Sequence, residues 1–90
     1  MTMSPFRRTD EPELEALTRA LAVQVEAERG RRGLTQAELA ELCGTTQSAV
    51  ARLERGTRPP RLDTLLRIAN ALDCELDVRL RPRTRMEGSV

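Results

Sequence analysis

The chain has 90 residues and a formal net charge of +1, with no histidine, tryptophan or tyrosine and a single phenylalanine, Phe6. That length holds one small domain with a modest aliphatic core and little surplus stability. The near-absence of aromatic side chains argues against stacking on single-stranded nucleic acid and against an aromatic-lined ligand pocket. Without histidine, a Gly-rich phosphate loop or a Ser or Cys nucleophile beside a base, an enzyme is not expected.

Cys43 and Cys74 are too few for a structural zinc site and read as two small buried residues. No metal and no cofactor are expected. No apolar run approaches the roughly 20 residues of a membrane span, and the first residues lack the apolar stretch of a secretory signal. A cytoplasmic protein without a membrane partner is therefore expected. The charge is unevenly spread: residues 1–30 carry four Arg against six acids, and residues 31–70 carry seven Arg against four. The middle of the chain is its basic part.

Residues 1–11 lack periodicity and are expected to be a flexible N-terminal tail. From Pro12, Leu14, Leu17, Leu21 and Val25 recur at helical spacing, and Glu13 and Glu15 suit the positive end of a helix dipole. Gly30 and Gly33 mark the frayed end of this first helix or a break in it. Thr35 with Glu38 three residues later forms a capping box for a short second helix, "TQAELAEL", which Gly44 ends. Thr45 is the next cap candidate, and "TQSAVARLER" gives a third helix with Val50 and Leu53 inward and a stop at Gly56. Two prolines make "TRPPR" a loop. The fourth helix, "LDTLLRIANAL", is expected to pack Leu62, Leu65, Leu66, Ile68, Ala69 and Leu72 inward.

Next comes "CELDVRLRP", residues 74–82, which alternates strictly. Cys74, Leu76, Val78 and Leu80 lie on one face, and Glu75, Asp77, Arg79 and Arg81 on the other. It reads as a strand closed by Pro82. Residues 83–90 read as a flexible C-terminal tail. No other segment reads as strand, so this one needs a second copy of itself to avoid an unpaired edge. An antiparallel self-pair centred on Val78 sets Glu75 opposite Arg81 and Asp77 opposite Arg79, whereas a parallel in-register pair opposes like charges throughout. A homodimer held by Glu75, Leu76, Asp77, Val78, Arg79, Leu80 and Arg81 is expected.

The second and third helices, joined at Cys43, Gly44 and Thr45, have the pattern of a helix-turn-helix, with Gly44 suited to the turn and Ala40 to the crossing. The stretch "LTQAELAELCGTTQSAVARLERG", residues 34–56, resembles the Cro and phage-repressor (Xre) helix-turn-helix family. Gln36, Ala40, Gly44, Val50, Leu53, Glu54 and Gly56 stand at the family's positions, and the likeness extends over about residues 21–72. The resemblance implies a mainly α, lambda-repressor-like bundle of four to five helices over residues 12–73, followed by the dimerisation strand. It also implies binding of double-stranded DNA with the third helix in the major groove.

Carried over by position, Gln36 holds a phosphate or braces the third helix, and Thr46, Gln47, Ser48 and Arg52 face the groove. A Gln amide suits N6 and N7 of adenine, and an Arg fork suits O6 and N7 of guanine. Arg55, Arg58 and Arg61 fall where relatives contact phosphates, contacts that position without reading sequence. Arg61 stands where relatives often have a capping Ser or Thr, so the cap of the fourth helix is missing. Glu54 pairs with Arg29 in the family pattern, implying a salt bridge between the first and third helices.

A helix-turn-helix followed directly by a strand also resembles HigA-type and HipB-type antitoxins, which repress their own operons and bind a toxin. The expected function is that of a sequence-specific transcriptional repressor, the antitoxin of a type II toxin-antitoxin system that autoregulates its operon; a stand-alone regulator without a toxin partner and an interaction module that has lost DNA binding are the alternatives. A dimer would read a palindromic operator with half-sites about one helical turn, roughly 34 Å, apart or a multiple of it.

Overall fold

A computed structural model describes residues 10–84. Within them the chain forms α1 (Glu11–Arg31), α2 (Gln36–Cys43), α3 (Gln47–Arg55) and α4 (Leu62–Ala71). Most of the two expected tails, residues 1–9 and 85–90, lies outside the described residues. α1 begins one residue inside the expected N-terminal tail, with Pro12 in its first turn, where a missing N–H leaves no helical bond unmade.

At about 31 Å, α1 is the longest element. It runs through Gly30 without a break and ends where Gly33 takes a φ of 68°. Its inward face differs from the expected leucine stripe. Thr18, Ala22 and Val25 are buried, while Leu17 remains 58% exposed. Thr18 can turn inward because its Oγ1 donates to the Leu14 carbonyl at 2.8 Å, which satisfies the hydroxyl within the helix.

The α2–turn–α3 unit is defined by its caps. Thr35 Oγ1 accepts from Glu38 N at 3.0 Å, and Glu38 Oε1 accepts from Thr35 N at 2.8 Å, completing the capping box. Gly44 closes α2 with a φ of 71°. The cap of α3 is Thr46 and not the expected Thr45: Thr46 Oγ1 accepts from Ala49 N at 3.1 Å. The Thr45 N–H instead donates back to the Ala40 carbonyl at 2.9 Å, so Thr45 belongs to the end of α2.

Between the helices lies an aliphatic core of Val25, Leu39, Ala40, Cys43, Val50, Ile68 and Leu72. Leu39 and Val50 are its most enclosed side chains, 0% and 1% exposed. α4 contributes Leu65, Ile68 and Ala69, and Leu72 follows at its C-cap, but Leu62 and Leu66, expected inward, are 67% and 51% exposed. A helix buries one stripe, and α4 carries more leucines than its stripe can hold. Arg61 precedes α4 without a side-chain cap bond.

After α4, Asp73 adopts a φ of 55°, and the Cys74 N–H donates to the Ala69 carbonyl at 2.7 Å, turning the chain back towards α1. Residues 74–82 form no strand in the single chain, and no strand occurs among the described residues. A ladder needs a second backbone, and the described residues offer this segment none. Cys74 and Leu76 are half-buried, whereas Val78 and Leu80 are 70% and 99% exposed. Arg79 Nη2 bonds Asp77 Oδ2 within the segment at 2.9 Å. No helix among the described residues is long and apolar enough to cross a membrane.

Candidate nucleic-acid interface

A single carboxylate braces α3 against the two helices before it. Arg29 Nε and Nη2 donate to the two Glu54 oxygens at 2.7 and 2.9 Å, and Gln36 Nε2 donates to Glu54 Oε1 at 3.0 Å. The third arm of the guanidinium, Nη1, reaches the Leu34 carbonyl at 2.8 Å. One acid therefore ties α1, α2 and α3 together, with its side chain 5% exposed against 16% for Arg29. Burial pushes the Glu54 carboxyl up, but the bonds from Arg29 and Gln36 and the Arg29 charge outweigh it and hold the group below the usual carboxylate range. Arg29 is raised in turn, chiefly by its bond to Glu54, against the opposing effect of burial.

Gly56 fixes the other end of the α1–α3 contact. Its φ is 70°, and a Cβ built on it would lie 3.1 Å from Ala22 Cβ and 3.4 Å from Arg19 Cα. Only glycine allows both the turn and this close approach.

These contacts leave one side of α3 outward. Ser48, Arg52 and Arg55, at i, i+4 and i+7, share a face, with Gln47 on the first turn, and all four are exposed. Among the described residues, the side chains of Gln47, Ser48, Arg52, Arg55 and Arg58 make no hydrogen bond or ion pair. Arg52, Arg58 and Arg61 line a common open groove of about 320 Å³ with Pro59, Pro60 and Thr64. Thr64 is not among the residues expected from sequence. Its place on the first turn of α4, three residues after Arg61, is the signal available there.

Three expected contact residues have partners inside the protein. Gln36 braces Glu54, Thr46 caps α3, and Arg61 Nε pairs with Asp63 Oδ1 at 3.2 Å. Arg55 does not line the Arg52–Arg58–Arg61 groove.

Both cysteines are free thiols. Burial pushes the Cys43 thiol up, with the Arg67 charge opposing, and the side chain packs in the aliphatic core. Among the described residues, no group of three or more His, Cys, Asp or Glu side chains is arranged to hold a metal.

Residues 25–78 match the helix-turn-helix family HTH_3. The chain belongs to this family. Its helix-turn-helix is of the Xre type, and the family is one of DNA-binding transcriptional regulators rather than enzymes. Over 59 residues, 66% of this chain, it is 39% identical to the uncharacterized HTH-type transcriptional regulator y4dL of Sinorhizobium fredii, of which it spans 30%.

Among solved HTH_3-like structures, the restriction-modification controller protein C.AhdI of Aeromonas hydrophila superposes with a TM-score of 0.65 at 36% identity. That match covers 68% of this chain and 88% of the controller. An HTH_3 family transcriptional regulator of Vibrio cholerae superposes with a TM-score of 0.66 at 29% identity, over 69% of this chain and 35% of that one.

Proposed function

We propose that this HTH_3 regulator binds a palindromic operator in double-stranded DNA as a homodimer and represses transcription in the cytoplasm. The observation that carries the reading is the outward face of α3: Gln47, Ser48, Arg52 and Arg55 are exposed, and their side chains have no partner among the described residues. In this role Gln47, Ser48 and Arg52 meet base edges, and Arg55 and Arg58 meet phosphates. Thr46 sets the start of the reading helix, and Gln36 braces it through Glu54. Arg61 can reach a phosphate by exchanging Asp63 for it.

The dimer rests on the antiparallel pairing of residues 74–82 centred on Val78, in which Asp77 and Arg79, paired within one chain here, pair across the two-fold axis. Each cross-strand pair is worth about 0.2 to 1 kcal/mol, so charge selects the register and apolar burial supplies most of the stability.

An antitoxin role, with a toxin protein as partner, is the second reading. Exposed Leu17 and Val23 on α1 favour it, because both are large apolar side chains left more than half open to solvent. The likeness to a restriction-modification controller favours a stand-alone regulator.

Selection of bound duplexes from a random pool tests the main reading. The expected product is a two-fold symmetric site whose affinity falls steeply between 50 and 200 mM salt, as counterion release requires. An unenriched pool would reject sequence-specific binding. Co-purification of a tagged chain from its host separates the two readings: a stoichiometric small protein partner supports the antitoxin, and its absence supports the stand-alone regulator.

A further inference from the structure

We propose that an apolar groove between α1 and α4 is the docking site for Leu80 of a second copy of this chain, an inference that rests on the dimer reading above. The groove holds about 100 Å³ and is lined by Leu21 and Val25 of α1, by Leu65 and Ala69 of α4, and by Cys74 and Leu76 of the segment that follows. It lies apart from the arginine groove beside α3.

The C-terminal segment uses only half of its apolar face within its own chain. Cys74 and Leu76 are half-buried at the groove, but Val78 and Leu80, on the same face by the period of two, are 70% and 99% exposed. Chain direction carries the last two away from the groove that shelters the first two. An antiparallel partner centred on Val78 reverses this: its Leu80 falls opposite Leu76, and its polar face matches Arg81 with Glu75 and Arg79 with Asp77. The partner's Leu80 is thereby delivered beside Leu76, over the open stretch between Leu21 and Leu65. By symmetry each copy fills the other's groove, so the fully exposed leucine and the unfilled groove are two halves of one contact.

The test is sedimentation equilibrium of the full chain. Wild type is expected to be a dimer, and Leu80→Asp is expected to raise the dissociation constant about a hundredfold or more, since two leucines lose their cover. Its helical circular dichroism should stay unchanged, because Leu80 is exposed in the single chain. Leu62→Asp, also on an exposed leucine, is expected to leave the dimer intact. A double-mutant cycle of Leu21→Ala and Leu80→Ala, read on the dissociation constant, should show that the second change costs less once the first is made. A dimer indifferent to Leu80→Asp, or a cycle without coupling, overturns the groove while leaving the dimer standing. Dissociation by Leu62→Asp alone would place the interface on the outer face of α4 and overturn it as well. A wild-type monomer at all concentrations would remove the dimer itself.

Discussion

Arg29 and Glu54, 25 residues apart in sequence, meet in a two-bonded fork at 2.7 and 2.9 Å that is largely withdrawn from water. Removing either partner leaves the other charge buried without compensation. Arg29→Ala or Glu54→Ala should each cost about 3 to 5 kcal/mol, a large part of the roughly 5 to 15 kcal/mol that such a domain has. Arg29→Met/Glu54→Leu together should cost less than either alone, because an apolar pair of similar volume leaves no stranded charge. Urea unfolding of the three variants followed by circular dichroism measures this. A double variant no more stable than the singles would mean that the pair contributes net attraction beyond mutual compensation.

The same carboxylate sets an acid limit. Its folded pKa lies below its unfolded value of about 4.3, so its stabilisation is complete above that value and is lost as the pH falls through the folded pKa. Arg29 has the opposite sign: its raised pKa gives stability that fades only as the pH rises through a value beyond the working range. The stability difference between wild type and Glu54→Gln should therefore be flat from about pH 8 to pH 5 and shrink towards pH 3. Denaturant midpoints at each pH show the trend, and a difference that grows on acidification would contradict it.

Gly44 and Gly56 offer a matched pair of substitutions. Both have φ near 70°, but a Cβ on Gly44 meets open space, and one on Gly56 meets Ala22 and Arg19. Gly44→Ala should cost only the left-handed backbone penalty, about 1 to 2 kcal/mol. Gly56→Ala should cost that and more, because α1 must move. Equal losses in thermal or denaturant unfolding would show that α1 yields freely at this contact.

On DNA, Gln47→Ala and Arg58→Ala should fail differently. Loss of the amide should relax discrimination at one base position by about 1 to 3 kcal/mol. Loss of the arginine should weaken all sequences alike and reduce the salt slope by about 1. Titrations on selected and random duplexes at several salt concentrations distinguish them, and equal effects of both changes on both duplexes would mean that the roles are misassigned.

Elements carried by local chemistry were readable in the sequence: Thr35 with Glu38, Gly44 and Gly56 each mark a helix boundary through a cap or a left-handed turn. The family pattern placed Arg29 near Glu54, although composition alone would have left both as surface charges. What could not be read depended on neighbours. Whether Leu17, Leu62 and Leu66 turn inward is decided by how much stripe the other helices can cover, and Thr18 goes inward because a backbone carbonyl one turn earlier satisfies it. Gln36, Thr46 and Arg61 are suited to DNA by residue type, yet each already has a partner in the fold, which spacing does not reveal. Residues 74–82 alternate like a strand, but pairing depends on a second chain.

The near-contact of Gly56 with Ala22 has a mechanical meaning. Together with the Glu54 clamp it anchors α3 at its C-terminal end, while Val50 in the core and the Thr46 cap hold the opposite end. α3 is thus a beam supported at both ends, with its outer face left to solvent. The exposed side chains of Gln47 and Ser48 bear no part of the load. New operators can therefore be acquired by exchanging them, with the support left as it is.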